Sequence, residues 1–410
     1  MGFLGGFREF WRGQSRNYKV FLTRDALGRL LGGVGSGYAS IYMRNMGASA
    51  LDISMLDSIA SLVRMLLSMP GGILADRVKR VKRLYIIGEL VMLPVNLFKA
   101  FAGSFRTYQL ARIWEVVTFR VTNPTVNIIW IASMSNRDRV KALVMSRTFL
   151  SAIGLVAPLL AAYLVTSFGG LENVAAFRPL FLIQFAVSVV MFALLALGLK
   201  EPEIERSMPQ GNVLRSTLDI FREVPGLRFI LFMNVVRTLF MSIRTPLNQL
   251  YFYEIKNADA YIIGLQGTIN TAVVLLFSVP IGNITDRIGR RRLGYISQVV
   301  FAGCVLAPLL TPPTHPQYLL IYSFLSALGS TMEIGWQAFI QEYIPLEMRG
   351  RWMGVNTMAT ALVGIPAPLI GGYLWGINPD YLWWIAFVYY LFISIPLMRT
   401  IPEREAPRTF

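Results

Sequence analysis

Stretches of about twenty apolar residues recur twelve times along this 410-residue chain. They run roughly over 18–46, 49–72, 83–103, 106–134, 141–167, 177–200, 227–253, 259–283, 292–311, 316–343, 350–376 and 379–400. A helix of that length spans the ~30 Å hydrocarbon core of a bilayer. Only helices or closed barrels satisfy every backbone polar group there. The segments are spread too evenly for a single anchor followed by a soluble domain. Charged residues make up 15% of the chain, against about 25% in a soluble domain. The expected fold class is an all-α membrane protein with 12 transmembrane helices.

The net charge of +16 would suggest nucleic acid in a soluble protein, but its distribution points elsewhere. With the N-terminus placed in the cytoplasm, 26 of the 39 Lys and Arg fall in cytoplasmic segments, nine lie within the helical spans, and only Arg44, Arg106, Arg178 and Lys256 fall on the outer side. That asymmetry is the positive-inside pattern and puts both termini in the cytoplasm. Attraction to anionic membrane lipids accounts for the charge, and no nucleic-acid partner is expected. The single cysteine, Cys304, and the single histidine, His315, cannot build a metal cluster or a disulfide framework. Cys304 reads as packing and His315 as a loop residue. No metal and no cofactor are expected. No nucleotide loop of the G-x-x-x-x-G-K type is present, which argues against a primary pump.

A repeat underlies the spans. Ser68–Ile87 and Ser278–Ser297 match at eight of twenty positions, among them Pro70/Pro280, Gly72/Gly282, Asp76/Asp286, Arg77/Arg287, Arg80/Arg290 and Tyr85/Tyr295. At the same offset of 210, Gly154–Leu164 and Gly364–Leu374 match at six of eleven. Six helices per repeat is an even number, so both halves enter the membrane in the same sense. The expected organisation is a cytoplasmic N-terminal segment at 1–17 and six-helix halves at 18–200 and 227–400. A linker at 201–226 joins the halves, and a tail follows at 401–410. The first segment lacks the apolar core of a signal peptide. It places Phe3, Phe7, Phe10 and Trp11 near one helical face, as an interfacial helix does, although a disordered basic tail fits too.

Polar residues inside the spans are not scattered. At 100° per residue, segment one puts Asp25 and Arg29 on one face, and segment four puts Arg112, Glu115, Arg120, Asn123 and Asn127 together. Segment seven aligns Asn234, Arg237, Met241, Arg244, Asn248 and Tyr251, and segment ten aligns Ser323, Ser326, Ser330, Glu333 and Gln337. These are segments 1, 4, 7 and 10, every third one, whereas segments six, nine and twelve carry no charge within their spans away from the ends. A water-filled pathway lined by four helices needs such stripes. Polar glue between helices is the plainer alternative for any one residue. Asp25 and Arg29, at i,i+4, or Arg112 and Glu115, at i,i+3, could be local pairs. Arg64 lies off the four stripes and could still face the pathway. Glu89, near a cytoplasmic knot of charge, reads as structural. The surplus of arginine favours an anionic or zwitterionic small molecule, because the guanidinium fork matches a carboxylate. A coupling proton needs a carboxylate that alternates between burial and a cationic neighbour. Asp25, Glu115 and Glu333 are the candidates, with Asp25 first. Sodium coupling stays open.

Gly282-x-x-x-Asp286-Arg287-x-Gly289-Arg290-Arg291 resembles the signature between the second and third helices of each half in the major facilitator superfamily. The copy at 72–81 departs at Lys79 and Val81. Glu342-x-x-Pro345-x-x-x-Arg349-Gly350-Arg351-x-x-Gly354 resembles that family's loop between helices ten and eleven, of which the first half keeps only Arg139 and Lys141. Arg112 stands where the family usually has an arginine. The resemblance covers essentially the whole chain. It implies a multi-pass secondary transporter of the plasma membrane, two rocking halves around a midplane site, a monomer, and no enzymatic activity. It also implies that Asp76, Arg80, Asp286 and Arg290 latch the cytoplasmic side. Gly282 is expected to allow close packing at the end of segment eight. Ala157-Pro158-x-x-Ala161-Ala162 and Ala367-Pro368-x-x-Gly371-Gly372 resemble the Gly-Pro-x-x-Gly-Gly motif of the family's antiporters. That gives a slight lean to export, against a simple helix contact. An uptake symporter or uniporter for an organic anion is the alternative, and a receptor or enzyme on the same scaffold is a remote one.

Overall fold

The computed structural model describes residues 11, 13–78, 80–134, 139–201, 221, 226–345 and 348–399. Most of the N-terminal segment, most of the linker and the C-terminal tail, with the readings made on them, lie outside the described residues. So do the side chains of Gly72, Asp76, Arg139, Lys141, Glu342, Arg349 and Arg351.

Helices occupy all twelve apolar segments, and no strand occurs among the described residues. They are α1 (Arg16–Ser36 and Ala39–Asn45), α2 (Ala50–Arg77), α3 (Val81–Ala100), α4 (Phe105–Ala132), α5 (Arg139–Gly154 and Ala157–Ser167) and α6 (Arg178–Gly198). The second series is α7 (Leu227–Arg244 and Asn248–Glu254), α8 (Ala260–Ile288), α9 (Arg290–Leu310), α10 (Leu319–Tyr343), α11 (Arg349–Gly364 and Pro366–Ile377) and α12 (Tyr381–Val388, continuing to Arg399). Six of the described helices are long and apolar enough to cross a membrane by length and composition. These are α5, α6, α8, α9, α11 and α12. The other six, α1 to α4, α7 and α10, each carry ionisable side chains in their interior, such as Arg29, Arg64, Lys99, Arg120, Arg237 and Glu333.

The 210-residue offset reappears in the geometry. Ser49 caps α2, its hydroxyl accepting from the Asp52 N–H at 3.1 Å while Asp52 Oδ2 accepts from the Ser49 N–H at 2.9 Å. At the matching position Asp259 caps α8, accepting from the Ile262 N–H at 2.7 Å. Each cap satisfies amides that the first helical turn leaves open. α1 breaks at Gly37–Tyr38, and α7 breaks in a 3₁₀ turn at Thr245–Leu247. α5 breaks before Ala157 and α11 before Pro366. Pro246, Pro158 and Pro366 lack the amide needed to continue an α-helical ladder.

The chain divides into two compact units, Met1–Gly47 with Leu62–Met208, and Ala48–Ser61 with Pro209–Phe410. In the first unit α3 packs on α4 so closely that a methyl on Gly88 would run into Thr122. The start of α1 ties to the end of α6: Arg16 donates to the Gly198 and Leu197 carbonyls at 2.8 and 2.9 Å, and Asn17 and Lys200 exchange two bonds. A cation on the last carbonyls of a helix also complements its dipole. In the second unit α11 packs closely on its neighbours. A methyl on Gly371 would run into the Ile243 carbonyl of α7, and one on Gly372 would come within 2.8 Å of the Leu51 Cα. The glycine pair therefore has a packing cause of its own.

Gly282 corrects an expectation. It is exposed, and a Cβ there would meet nothing within 4 Å. The close approach in that part of the repeat belongs to the first unit, where a Cβ on Gly71 would lie 2.7 Å from the Arg120 carbonyl oxygen of α4. Gly289, by contrast, needs to be glycine, since its φ of 88° lies where a side chain is strained.

Large apolar side chains lie bare on both units, among them Leu197 at 81% and Leu310 at 73% exposure. Apolar exposure on this scale marks a surface that meets lipid. Gly371→Ala should cost about 1–3 kcal/mol through overpacking, and Gly282→Ala should be neutral or stabilising by up to about 1 kcal/mol. Thermal unfolding of the two variants in one detergent separates them; equal melting temperatures would remove the packing role assigned to Gly371.

Candidate functional site

In the first unit the expected pair Asp25–Arg29 does not form. Arg24 takes Asp25 instead, with Nη1 2.9 Å from Oδ1, and its Nη2 donates to Glu89 Oε1 of α3 at 2.9 Å. Arg24 can bridge because it faces α3, whereas Arg29, five residues on, is exposed. Two carboxylates thus share one guanidinium. Glu89, read from sequence as structural, is half of the bridge between α1 and α3. The fully buried Tyr85 lies beside this group.

Further along α3 and α4, Lys99 Nζ lies 2.8 Å from Glu115 Oε2, and Arg112 contacts the same oxygen. Lys99 is only 5% exposed. The i,i+3 pair of Arg112 and Glu115 is real, but it is half of a three-membered cluster whose other cation is Lys99. The Tyr42 hydroxyl donates to the Lys99 carbonyl at 3.0 Å and fixes that turn of α3. A carboxylate gripped by two cations is poorly placed to exchange a proton. Glu115 therefore reads as structural. Deeper on α4, Arg120 is half-buried, as is Arg64 of α2. Arg120 has no carboxylate partner among the described residues. Asn123 is half-buried and Asn127 exposed.

In the second unit α7 and α10 meet through charge. Arg237 Nη2 donates to Glu333 Oε2 at 2.6 Å, and Nη1 lies against Oε1, fork to fork. Glu333 is 7% exposed. Asn234, one turn before Arg237, donates to Asn356 of α11 at 2.9 Å. Gln337, one turn past Glu333, is exposed. Arg244 departs from the picture of an open pathway face. It is 5% exposed, its guanidinium sits 4.3 Å from the centroid of the Trp383 ring on α12, and Nη1 donates to the Tyr322 hydroxyl at 3.2 Å. Asn248 follows the break in α7 and is half-buried.

The signature segments sit at helix ends. Arg77 and Arg80 are exposed around the turn from α2 to α3. Asp286 and Arg287 are exposed in the last turn of α8, and Arg290 and Arg291 are half-buried at the start of α9. No metal-binding group of His, Cys, Asp or Glu occurs among the described residues.

Sequence reading missed Arg24, Lys99, Tyr322 and Trp383. Lys99 had a signal, an ionisable residue inside an apolar segment, which is functional or paired by default. Trp383 had none, because an aromatic residue in an apolar helix looks like any other.

Two series of helices that break at matching places, with ionisable side chains inside α1 to α4, α7 and α10, suit a solute carrier. The sequence matches the profile of the Major Facilitator Superfamily over residues 30–245 and 230–409. The chain belongs to that family. As a member it is a transporter rather than an enzyme, and a multi-pass protein of the plasma membrane. It is 21% identical over 355 residues to an uncharacterized MFS-type transporter of Methanocaldococcus jannaschii, covering 82% of each chain. Its fold resembles the nucleoside transporter NupG, with a TM-score of 0.75, 14% identity and coverage of 94% of this chain and 100% of that one. A bacterial homologue of the iron transporter ferroportin gives a TM-score of 0.74 at 15% identity, covering 94% and 98%. A POT family transporter in complex with 5-aminolevulinic acid gives 0.72 at 11%, covering 94% and 95%.

The Arg237–Glu333 contact predicts a non-additive mutant cycle. Arg237→Met and Glu333→Met should each destabilise by about 3 kcal/mol, since each leaves a buried charge alone. The double variant should recover much of that loss, as read by thermal unfolding. A double variant as damaged as the two singles combined would show that the charges do not depend on each other.

Proposed function

We propose that this transporter carries a small organic anion or zwitterion across the membrane by alternating access, coupled to protons. Twelve helices cross the bilayer, and both termini lie in the cytoplasm. The observation that carries the reading is the Arg237–Glu333 pair. Its guanidinium has the planar fork that recognises a carboxylate, but Glu333 already occupies it. A proton on Glu333 removes the competing charge and frees Arg237 for a substrate carboxylate. Substrate and proton then bind together, which favours movement of both in the same direction. A zwitterion opens the pair by meeting both charges at once.

This reading favours proton-linked cotransport over the export suggested by the antiporter-like stretch on α11, because Gly371 and Gly372 have a packing cause. Among the acids, Glu333 comes first. Asp25 is second, since it shares Arg24 with Glu89 and one carboxylate there is in excess. The segments around Asp76, Arg80, Asp286 and Arg290 serve as the cytoplasmic latch, which sets the rate and not the choice of substrate.

Reconstitution in proteoliposomes with an imposed pH gradient and a panel of labelled carboxylates tests the proposal. Wild type should accumulate at least one anion when the gradient is present and only equilibrate it when the gradient is collapsed. Glu333→Gln should lose gradient-driven accumulation while still exchanging labelled for unlabelled substrate. If Glu333→Gln accumulates normally and Asp25→Asn does not, the coupling acid is on α1. If neither variant changes accumulation, proton coupling through these acids is wrong.

A further inference from the structure

Arg244 is a buried cation answered by aromatic rings rather than by an acid. No carboxylate among the described residues lies within 4 Å of it. Its three nitrogens are unequally served. Nη1 donates to the Tyr322 hydroxyl, and Nη2 has only the Met241 sulfur at 3.9 Å. Nε is buried with no hydrogen-bond partner. The Nε–Nη2 edge is one of the edges a carboxylate takes side-on with two parallel hydrogen bonds. The face of the guanidinium is covered by Trp383, whose indole N–H is also buried without a partner. Past the break in α7, the Asn248 side-chain oxygen is a third such atom.

An uncompensated charge inside a membrane helix bundle is expensive, and buried polar atoms without partners call for an explanation. A cation–π contact offsets part of that cost. It leaves the in-plane donors unsatisfied. The floor on which the guanidinium rests is the Trp383 ring, bordered by Phe252, 5.4 Å away and tilted by 32°, and by Tyr322, 5.3 Å away and edge-on at 88°. A ligand whose carboxylate meets the Nε–Nη2 edge is held coplanar with the guanidinium. If its carboxylate is conjugated to a ring, that ring extends over the same aromatic floor. A saturated ring cannot lie flat there, and a tetrahedral phosphate gains nothing from the floor.

We propose that Arg244, Trp383 and Tyr322 form a binding subsite for a planar aromatic carboxylate. The subsite lies between α7, α10 and α12, at the α7 break. It gives the anion of the transport reading a chemical class, and it rests on that reading only for what the bound anion is for. The 3₁₀ turn at Thr245–Leu247 is the place where α7 can shift to admit it.

Calorimetric titration of the full-length protein in lipid nanodiscs tests this without transport. The probes are benzoate, cyclohexanecarboxylate and inorganic phosphate. Benzoate should bind saturably, and the other two more weakly. Arg244→Gln should weaken benzoate about 10-fold or more, the loss of charge-assisted hydrogen bonds. Trp383→Leu keeps the charge and should weaken benzoate while leaving cyclohexanecarboxylate nearly unchanged, so it decides the matter even if Arg244→Gln does not fold. The proposal is overturned if benzoate does not bind wild type. It is overturned equally if benzoate binds folded Arg244→Gln as tightly as wild type, if Trp383→Leu has no effect, or if the three probes bind alike. Benzoate binding that depends on Arg244, together with no uptake of any carboxylate in proteoliposomes, would leave the subsite standing and remove the transport reading alone.

Discussion

A guanidinium or ammonium taken out of water costs several kcal/mol unless something answers it, and much of the interior of both units is organised around such answers. Arg24 is answered by Asp25 and Glu89, which ties α1 to α3. Lys99 is answered by Glu115, which ties α3 to α4. Arg237 is answered by Glu333, which ties α7 to α10. Removing Arg24, Glu115 or either member of the Arg237–Glu333 pair strands a charge in an apolar bundle. The pairs therefore specify which helix faces which, a task apolar side chains perform poorly when lipid is as apolar as the core. Arg244 differs from these three in using aromatic faces, and its in-plane donors stay open.

The scaffold beneath the charges follows local rules. Caps at Ser49 and Asp259 start the second helix of each repeat. Prolines at 158 and 366 start the second parts of α5 and α11. Close helix approaches are set by glycines that meet backbone or a side chain, as at Gly71, Gly88 and Gly371. The breaks in α1 and α7 occur at matching places in the repeat, so both units bend where the other does. In repeat-built transporters, interrupted helices in corresponding positions mark the binding region, and in α7 the break falls directly after Arg244.

Apolar periodicity and the 210-residue offset made the helices legible, because a ~20-residue apolar run has few alternatives. The polar stripes were legible as stripes. Partners were not, because an i,i+4 spacing in sequence competes with every residue on the neighbouring helices. Asp25 had Arg29 on its own face, yet Arg24, which also reaches Glu89, won. Arg112 and Glu115 met as the spacing allowed, but Lys99 entered from a helix whose register against α4 no local pattern gives. Gly282 failed for a related reason. A motif glycine says that a small residue occurs there, and only the neighbouring backbone says whether close packing requires it.

The two units share a scaffold and differ in chemistry. At the 210-residue offset, Arg24 corresponds to Asn234, Leu27 to Arg237, Val34 to Arg244, Arg120 to Ser330 and Asn123 to Glu333. Where the first unit joins α1 to α3 by an ion pair through Arg24, the second joins α7 to α11 by an amide pair through Asn234. The Arg237–Glu333 pair of the second unit has no charged counterpart at either matching position in the first, where Leu27 and Asn123 stand. The helices, caps and breaks repeat because both halves must fold and bend alike. The charges do not repeat, because an ion pair needs both partners at once, and a change at either position of one unit removes it there alone.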